Sequence, residues 1–114
     1  MKEEPDDEFV LDKRAFSNYK IEDYQSAKDD YNRLIEIGEN NADNYYYLSK
    51  VLFELEEYLE SLKSIDKAIN ISEEKYPSYH FVKARINYRL SNFEEALSQV
   101  NLTIDLGNKS SYIY

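Results

Sequence analysis

Residues 92–107, NFEEALSQVNLTIDLG, combine a polar helix-starting residue, an aromatic residue, a small residue and a glycine, and related stretches occur twice upstream. The three starts are Asp23-Tyr24-x-x-Ala27, Glu57-Tyr58-x-x-Ser61 and Asn92-Phe93-x-x-Ala96. Their small residues are 34 and then 35 positions apart. Self-similarity at such a period is typical of a repeat array, so the sequence predicts a chain built from a repeated helical unit.

A second small residue stands 12 positions before each of these. The pairs are Ala15 with Ala27, Ser49 with Ser61, and Ala84 with Ala96. Small side chains let two antiparallel helices approach closely, while larger neighbours fill the grooves beside them. Because a lone helical hairpin cannot bury its apolar face, we expect three hairpins that stack on one another.

Capping residues suggest where these helices begin and end. Asp23 is placed to cap the second helix, and Asn92 with Glu95 has the spacing of a capping box for the last one. Gly38 and Gly107, the two glycines of the chain, are each expected to end the second helix of a hairpin. The last helix would then span residues 93–106.

The second unit carries Tyr45, Leu48, Ser49 and Leu52, and the first carries Ala27-x3-Tyr31. In these residues the chain resembles the tetratricopeptide repeat (TPR) family, over about residues 9–107. The resemblance implies an all-α fold, a right-handed α-α superhelix of three stacked helix-turn-helix hairpins. We expect an acidic lead-in at 1–8, repeats at about 9–41, 42–75 and 76–110, and a truncated further repeat at 111–114.

The first and third units depart from the family pattern. Arg14 and Lys83 replace a large apolar residue, and Asn18 and Asn87 replace the aromatic residue that follows it. We expect the basic stems to lie over apolar surface with their charges in water. We expect the two asparagines to satisfy polar partners between helices.

The first helices of successive TPR repeats line a concave groove, and the resemblance implies the same here. The groove residues carried over to this sequence are Phe16, Tyr19, Tyr46, Lys50, Phe53, Phe81, Arg85, Tyr88 and Arg89. They are aromatic and basic, so we expect a partner peptide or helix with apolar anchors and an acidic group, held by Lys50 and Arg85. The alternative is that these aromatic side chains pack within the molecule and the charges are ordinary solvated ones.

Some TPR proteins grip chaperone C-termini with a dicarboxylate clamp, and we expect this clamp to be absent here. The places of its basic and amide residues hold Asp12, Phe16, Tyr47, Ser78 and Val82. Binding of a chaperone tail is therefore disfavoured, whereas binding of another partner protein is not.

Composition argues against several classes of function. The formal net charge of −9 disfavours nucleic acid and anionic lipid as partners. The sequence offers no membrane span and no signal peptide, which makes a cytoplasmic protein the default. It has no cysteine, and its single histidine, His80, is expected to be a partly exposed helical residue. We therefore expect no cofactor, no metal and no enzyme activity.

The rival function is self-assembly. A solenoid usually ends in a polar capping element, yet the last predicted helix carries Leu97, Val100 and Ile104. These residues could be buried against a second copy of the chain, and homo-oligomerisation through the C-terminal helix is therefore the second hypothesis.

Overall fold

The structure, a computed structural model, describes residues 7–38, 41–72 and 76–111. Within these ranges it contains six α-helices and no strand. They are α1 (Glu8–Lys20), α2 (Tyr24–Glu36), α3 (Ala42–Glu54), α4 (Tyr58–Ile71), α5 (Pro77–Arg89) and α6 (Phe93–Ser111). The first six residues of the expected acidic lead-in and residues 112–114 of the expected further repeat lie outside the described residues.

Side-chain caps fix the starts of the first three helices. The carboxylate of Asp7 accepts a hydrogen bond of 2.9 Å from the Phe9 backbone N–H, and that of Asp23 accepts one of 3.3 Å from Ser26. Asn41 caps α3 in the same way through Asn44, at 2.9 Å. Each cap satisfies a backbone donor that has no partner inside its helix. The predicted cap at Asp23 is therefore confirmed.

The turn inside each hairpin has one conformation, repeated three times. Glu22, Glu56 and Ser91 have φ angles of 68°, 63° and 65° and stand at equivalent places, 34 and 35 residues apart. The residue after each of them donates its N–H to the carbonyl five positions back, at 2.8 to 2.9 Å. A left-handed non-glycine residue costs about 1 kcal/mol, so the packing of the two helices must offset this strain.

The two glycines behave differently. Gly38 follows α2 with a φ of 102°, so it ends the hairpin as predicted. The prediction for Gly107 was wrong, because α6 continues through it to Ser111. A glycine inside a helix costs only about 1 kcal/mol relative to alanine, which a helix of 19 residues can accommodate.

The small residues of the three pairs are enclosed within their hairpins. All six are buried: Ala15, Ala27, Ser49, Ser61, Ala84 and Ala96. In the second hairpin the Ser61 hydroxyl donates to the Ser49 carbonyl at 2.6 Å, so two polar groups are satisfied inside the contact. This hydrogen bond confirms the predicted close approach of the helices in the second hairpin.

The hairpins stack in chain order. Helices α1 and α2, α3 and α4, and α5 and α6 pair with each other, and α2 packs on α3 as α4 packs on α5. Two apolar clusters form the core, one between the first and second hairpins around Tyr31 and one between the second and third around Ile65. The expected all-α solenoid of three hairpins is confirmed.

The basic residues of the first and third units pair with carboxylates, which was not predicted, although Arg14 stays exposed to water as expected. The Arg14 guanidinium donates two hydrogen bonds, of 3.0 and 2.8 Å, to the carboxylate of Asp30. Lys83 forms an ion pair of 2.9 Å with Asp66. Asn18 donates to the same Asp30 at 3.2 Å, which confirms its role between helices. The buried carboxylate explains the arginine, because a buried charge needs a partner.

His80 was expected to be partly exposed and is instead buried between α5 and α6. Its Nδ1 lies 2.8 Å from Oε1 of Gln99, and the amide of Gln99 donates to the Glu95 carboxylate at 3.0 Å. The histidine therefore belongs to a satisfied polar chain inside the third hairpin.

Candidate partner-binding surface

The first helices of the hairpins, α1, α3 and α5, form one wall, and aromatic side chains join them. Between α1 and α3 the ring of Tyr47 meets Phe16 at 5.5 Å and Tyr19 at 5.7 Å between centroids, in edge-to-face arrangements. Between α3 and α5 the ring of Tyr46 stacks on Tyr79 at 4.8 Å. Such pairs contribute about 0.5–1.5 kcal/mol each beyond their buried area, so this wall is also a structural contact.

Lys50 lies at the centre of the N-terminal half of this wall. Its ammonium is 5.5 Å from the ring centroid of Tyr19, 5.1 Å from that of Tyr46 and 6.0 Å from that of Tyr47. Partial burial opposes the charge, but contacts with the Tyr19 and Tyr46 hydroxyls outweigh it and raise the pKa of Lys50. Among the described residues no carboxylate pairs with Lys50.

The wall is also joined by a hydrogen bond between the second and third hairpins. The Tyr79 hydroxyl donates to the Asp43 carboxylate at 3.2 Å. Burial of the phenol, together with that nearby carboxylate, raises the pKa of Tyr79 well above its ordinary value. The bond therefore favours the protonated phenol and holds α5 against α3.

Phe53 was expected to be exposed in the groove, but only 7% of its surface is accessible. The guanidinium groups of Arg85 and Arg89 lie over its ring, at 4.5 and 5.2 Å from the centroid. Arg89 also donates to the hydroxyl of Tyr58 at 2.8 Å. The sequence analysis did not predict that these arginines cover Phe53, because it treated each repeat separately. In the structure the arginines of one repeat lie over the ring of the previous one.

A cavity of about 460 Å³ opens at the C-terminal end of the wall, between α5 and α6. Five predicted groove residues, Phe53, Phe81, Arg85, Tyr88 and Arg89, line it together with Ala84, Phe93, Ala96, Leu97 and Val100. Its size is within the range of small-ligand and side-chain pockets. The other predicted groove residues, Phe16, Tyr19, Tyr46 and Lys50, do not line this cavity and instead lie around the ring of Tyr47.

The cavity is apolar except for its arginines. Phe81 and Tyr88 are 48% and 62% exposed, and neither Arg85 nor Arg89 forms an ion pair within residues 7–38, 41–72 and 76–111. Sequence reasoning missed that Phe93 completes the cavity. The signal was available, since Phe93 repeats the place of Tyr58 at the hairpin turn.

An aromatic pair recurs at this turn in all three hairpins. The centroids of Phe53 and Tyr58 are 5.4 Å apart with 67° between the rings. Tyr88 and Phe93 repeat this geometry at 5.4 Å and 66°. The equivalent pair of the first hairpin, Tyr19 and Tyr24, is looser at 6.2 Å and 57°. The last pair is therefore preformed although no helix of the described chain covers it.

The described part of the chain has neither a metal-binding cluster nor a membrane-spanning helix. No group of three or more histidine, cysteine, aspartate or glutamate residues there could hold a metal ion. Within the same residues no helix is both long enough and apolar enough to cross a membrane.

Comparison with known proteins relates this architecture to repeat proteins. Residues 22–101 match the family described as anaphase-promoting complex, cyclosome, subunit 3. Over 95 residues, 83% of the chain, the sequence is 35% identical to TPR repeat-containing protein MJ1428 of Methanocaldococcus jannaschii. The chain spans only 16% of that relative's length.

Solved structures share the fold at low sequence identity. A crystal structure of MamA superposes with a TM-score of 0.85 and 18% identity, over 96% of this chain and 63% of that one. The second TPR of Spaghetti (RPAP3), bound to the HSP90 peptide SRMEEVD, superposes with a TM-score of 0.78 and 18% identity, over 85% and 89%.

Proposed function

The chain belongs to the tetratricopeptide repeat family, and we propose that it binds a segment of a partner protein on the wall formed by α1, α3 and α5. The fold in general supports a protein–protein interaction module. The finer proposal is that an apolar anchor of the partner enters the cavity beside Phe81 and Tyr88, while a carboxylate is held by Lys50 and Arg85.

The proposal rests on one observation: an apolar cavity lies beside cations that form no ion pair in the described structure. Arg85 and Arg89 stand at the edge of the cavity, and half-buried Lys50 lies further along the same wall. A charged guanidinium can bind a carboxylate in two parallel hydrogen bonds, so it adds orientation as well as affinity. Aromatic and arginine side chains around a pocket are also the residues that most often dominate binding energy.

One structural neighbour is bound to a peptide of comparable charge. The peptide in the RPAP3 complex, SRMEEVD, has three acidic residues. That likeness shows the fold alone, and here Phe16, Tyr47 and Val82 occupy places of the chaperone-tail clamp. The proposed ligand is therefore an acidic peptide with apolar anchors, not a chaperone tail. Absence of enzyme activity and a cytoplasmic location stay predictions.

The proposal is tested by selecting binders from a library of displayed random peptides and titrating them by fluorescence anisotropy. We expect enrichment of acidic residues beside aromatic or leucine anchors. The double variant Lys50→Glu/Arg85→Glu should weaken the selected peptides at least about tenfold, because two attractive charges become repulsive. Lys50→Gln/Arg85→Gln is the milder companion, checked for its helical content and melting transition.

Lys63→Glu/Lys67→Glu is the matched control, since it changes the net charge equally on exposed residues of α4. It should leave binding within about twofold. Equal losses in both double variants would show that net charge alone attracts the peptides. Unchanged binding in the Lys50/Arg85 variant would refute the proposed site.

Self-association is the second candidate, and the exposure of α6 favours it. Phe93, Leu97 and Ile104 are 57%, 61% and 53% exposed. Apolar patches of this kind often mark an interface. Sedimentation equilibrium over a range of concentrations separates the two candidates. A dimer that the Leu97→Asp substitution disrupts would establish self-association through α6. A protein that stays monomeric at all concentrations would refute it.

A further inference from the structure

At six positions the end face of the third hairpin repeats an apolar or aromatic face that is covered in the second hairpin. Helix α5 packs on Tyr46, Phe53, Tyr58, Leu62, Ile65 and Ile69 of α3 and α4. Their equivalents, 35 residues later, are Phe81, Tyr88, Phe93, Leu97, Val100 and Ile104. Of these six, Val100 is half-buried and the other five are exposed. The third hairpin thus presents the docking face of a repeat.

We propose that this end face binds one amphipathic α-helix of a partner protein, seated as α5 is seated on the second hairpin and carrying carboxylates toward Arg85 and Arg89. This inference rests on the proposed function, because it names the kind of segment that the C-terminal half of the wall takes. The helix occupies the position that a seventh helix would have, beside α5 and α6.

The spacing of the partner's apolar residues follows from α5. The α5 residues that pack on the second hairpin are Tyr79, Val82 and Ile86, followed by Leu90 just beyond the helix. They are spaced i, i+3, i+7 and i+11, the stripe of an amphipathic helix. The preformed pair of Tyr88 and Phe93 offers the incoming helix the same aromatic surface that Phe53 and Tyr58 offer α5.

The charge of the partner follows from a difference between the repeats. In the first two hairpins the aromatic pair at the turn is covered by a cation of the following repeat. Lys50 lies over Tyr19, and Arg85 lies over Phe53. The residues equivalent to Arg85 and Arg89 are Phe16 and Lys20 in the first repeat, and Lys50 and Glu54 in the second. Only the third repeat therefore has two cations at these places. An incoming cation would be repelled there, whereas carboxylates at i+6 and i+10 would be attracted.

A second copy of this chain fits the face less well. In a head-to-tail stack α1 would take the place of α5, and Lys13 and Ser17 would then stand where Val82 and Ile86 stand. Both of those α5 residues are buried, while Lys13 and Ser17 are exposed polar residues. Burying a lysine without a partner charge is strongly unfavourable. Helix α1 and its C-cap therefore carry polar side chains at two of the four places by which α5 docks, and exposed apolar ones, Val10 and Ile21, at the other two.

The test uses two stapled peptides with the sequence of residues 77–90 of this chain. The probe carries Arg85→Glu and Arg89→Glu, and the parent peptide keeps both arginines. The staple joins the positions of His80 and Ala84, which pack toward α6 in the intact chain and so face away from the docking surface. Binding to the whole protein is followed by fluorescence anisotropy and by methyl NMR shifts of Leu97 and Val100.

We expect the glutamate peptide to bind about tenfold tighter than the parent, from two ion pairs that replace two repulsions. This ratio should shrink as the salt concentration rises. Leu97→Asp in the protein should abolish binding of both peptides. Arg85→Ala/Arg89→Ala should bring the two affinities close together.

Three results would overturn the inference. The first is no methyl shift with the glutamate peptide at about 1 mM, and the second is equal or tighter binding of the parent peptide. The third is a dimer of the protein that the Leu97→Asp substitution disrupts. Failure here is distinguishable from failure of the proposed function. Suppose that displayed peptides require Lys50 and still bind the Leu97→Asp variant. That result would refute binding of a helix on the end face, while the proposed peptide-binding wall would stand.

Discussion

The second and third hairpins carry the same surface in two states, one covered and one open. Phe53 of the second hairpin is 7% exposed beneath α5, whereas its equivalent Tyr88 is 62% exposed. The aromatic pairs to which these two residues belong have nearly the same geometry. The pair is therefore shaped by the hairpin itself, and the helix that covers it adds burial and charge.

The largest expected effect is the difference in stability between truncations at these two equivalent places. Phe53→Ala should lower the free energy of unfolding by about 3 kcal/mol, because it removes a buried ring and leaves a cavity. Tyr88→Ala should change it by less than about 0.5 kcal/mol. Urea denaturation followed by circular dichroism measures both. Similar losses in the two variants would show that the end face is already covered, for example by a second copy.

A smaller effect on stability is expected at high pH, from Tyr79 in the covered contact between the second and third hairpins. Burial and Asp43 raise the pKa of Tyr79, so the folded chain keeps this proton where the unfolded chain has released it. The contribution to stability is complete below about pH 10, the ordinary tyrosine value, and is lost as pH rises toward the folded pKa.

The free energy of unfolding of the wild type should therefore fall more steeply above pH 10 than that of Tyr79→Phe, by up to about 1.4 kcal/mol per pH unit. Asp43→Asn, which keeps the phenol and removes the carboxylate, should lie between them. Denaturant titrations at several pH values give the slopes. Parallel wild-type and Tyr79→Phe curves would contradict the raised pKa.

The cation over the first aromatic pair should have a more modest effect. Lys50→Met keeps the apolar stem and removes the charge above three tyrosine rings, so we expect a loss of about 1 kcal/mol. Lys67→Met, on an exposed site of α4, should lie within about 0.5 kcal/mol of the wild type. Thermal melts of both variants check this. A melting temperature of Lys50→Met equal to that of the wild type would show that the lysine charge does not stabilise the fold.

The smallest effect is expected on the open face itself. Leu97→Asp replaces a 61% exposed side chain on α6, so the stability of the isolated chain should change by less than about 0.5 kcal/mol. The same substitution at the equivalent Leu62, which packs against α5, should be clearly destabilising. A strongly destabilised Leu97→Asp variant would show that α6 is buried in solution.

The repeat period and the small residues predicted most of the fold. Spacings of 12 and of 34 to 35 residues depend only on which side chains can stand at a close helix contact, so Ser49 and Ser61 marked it as well as the alanines did. Gly107 misled the prediction because a glycine permits a left-handed turn without requiring one. Here α6 keeps its helical hydrogen bonds through that residue.

The polar and aromatic contacts between helices were harder to predict. The pairing of Arg14 with Asp30 joins residues 16 positions apart, and the sequence does not show which basic residue will meet a buried carboxylate. The covering of Phe53 by Arg85 depends on how one repeat lies on the previous one. The candidate groove residues were therefore predicted as a set, but their division into an aromatic cluster around Tyr47 and a cavity beside Tyr88 was not.

Hydrogen exchange of the amides of α4 and α6, with and without the stapled glutamate peptide, tests most directly whether the end face is an open docking surface. Helix α4 packs on helices at both sides, whereas the extensive helix contact of α6 within the described chain is with α5. We predict strong protection of α4 throughout, weaker protection of α6 in the free protein, and a gain across Phe93–Ile104 when the peptide binds. Protection of α6 equal to that of α4 in the free protein, or no gain with the peptide, would contradict the account.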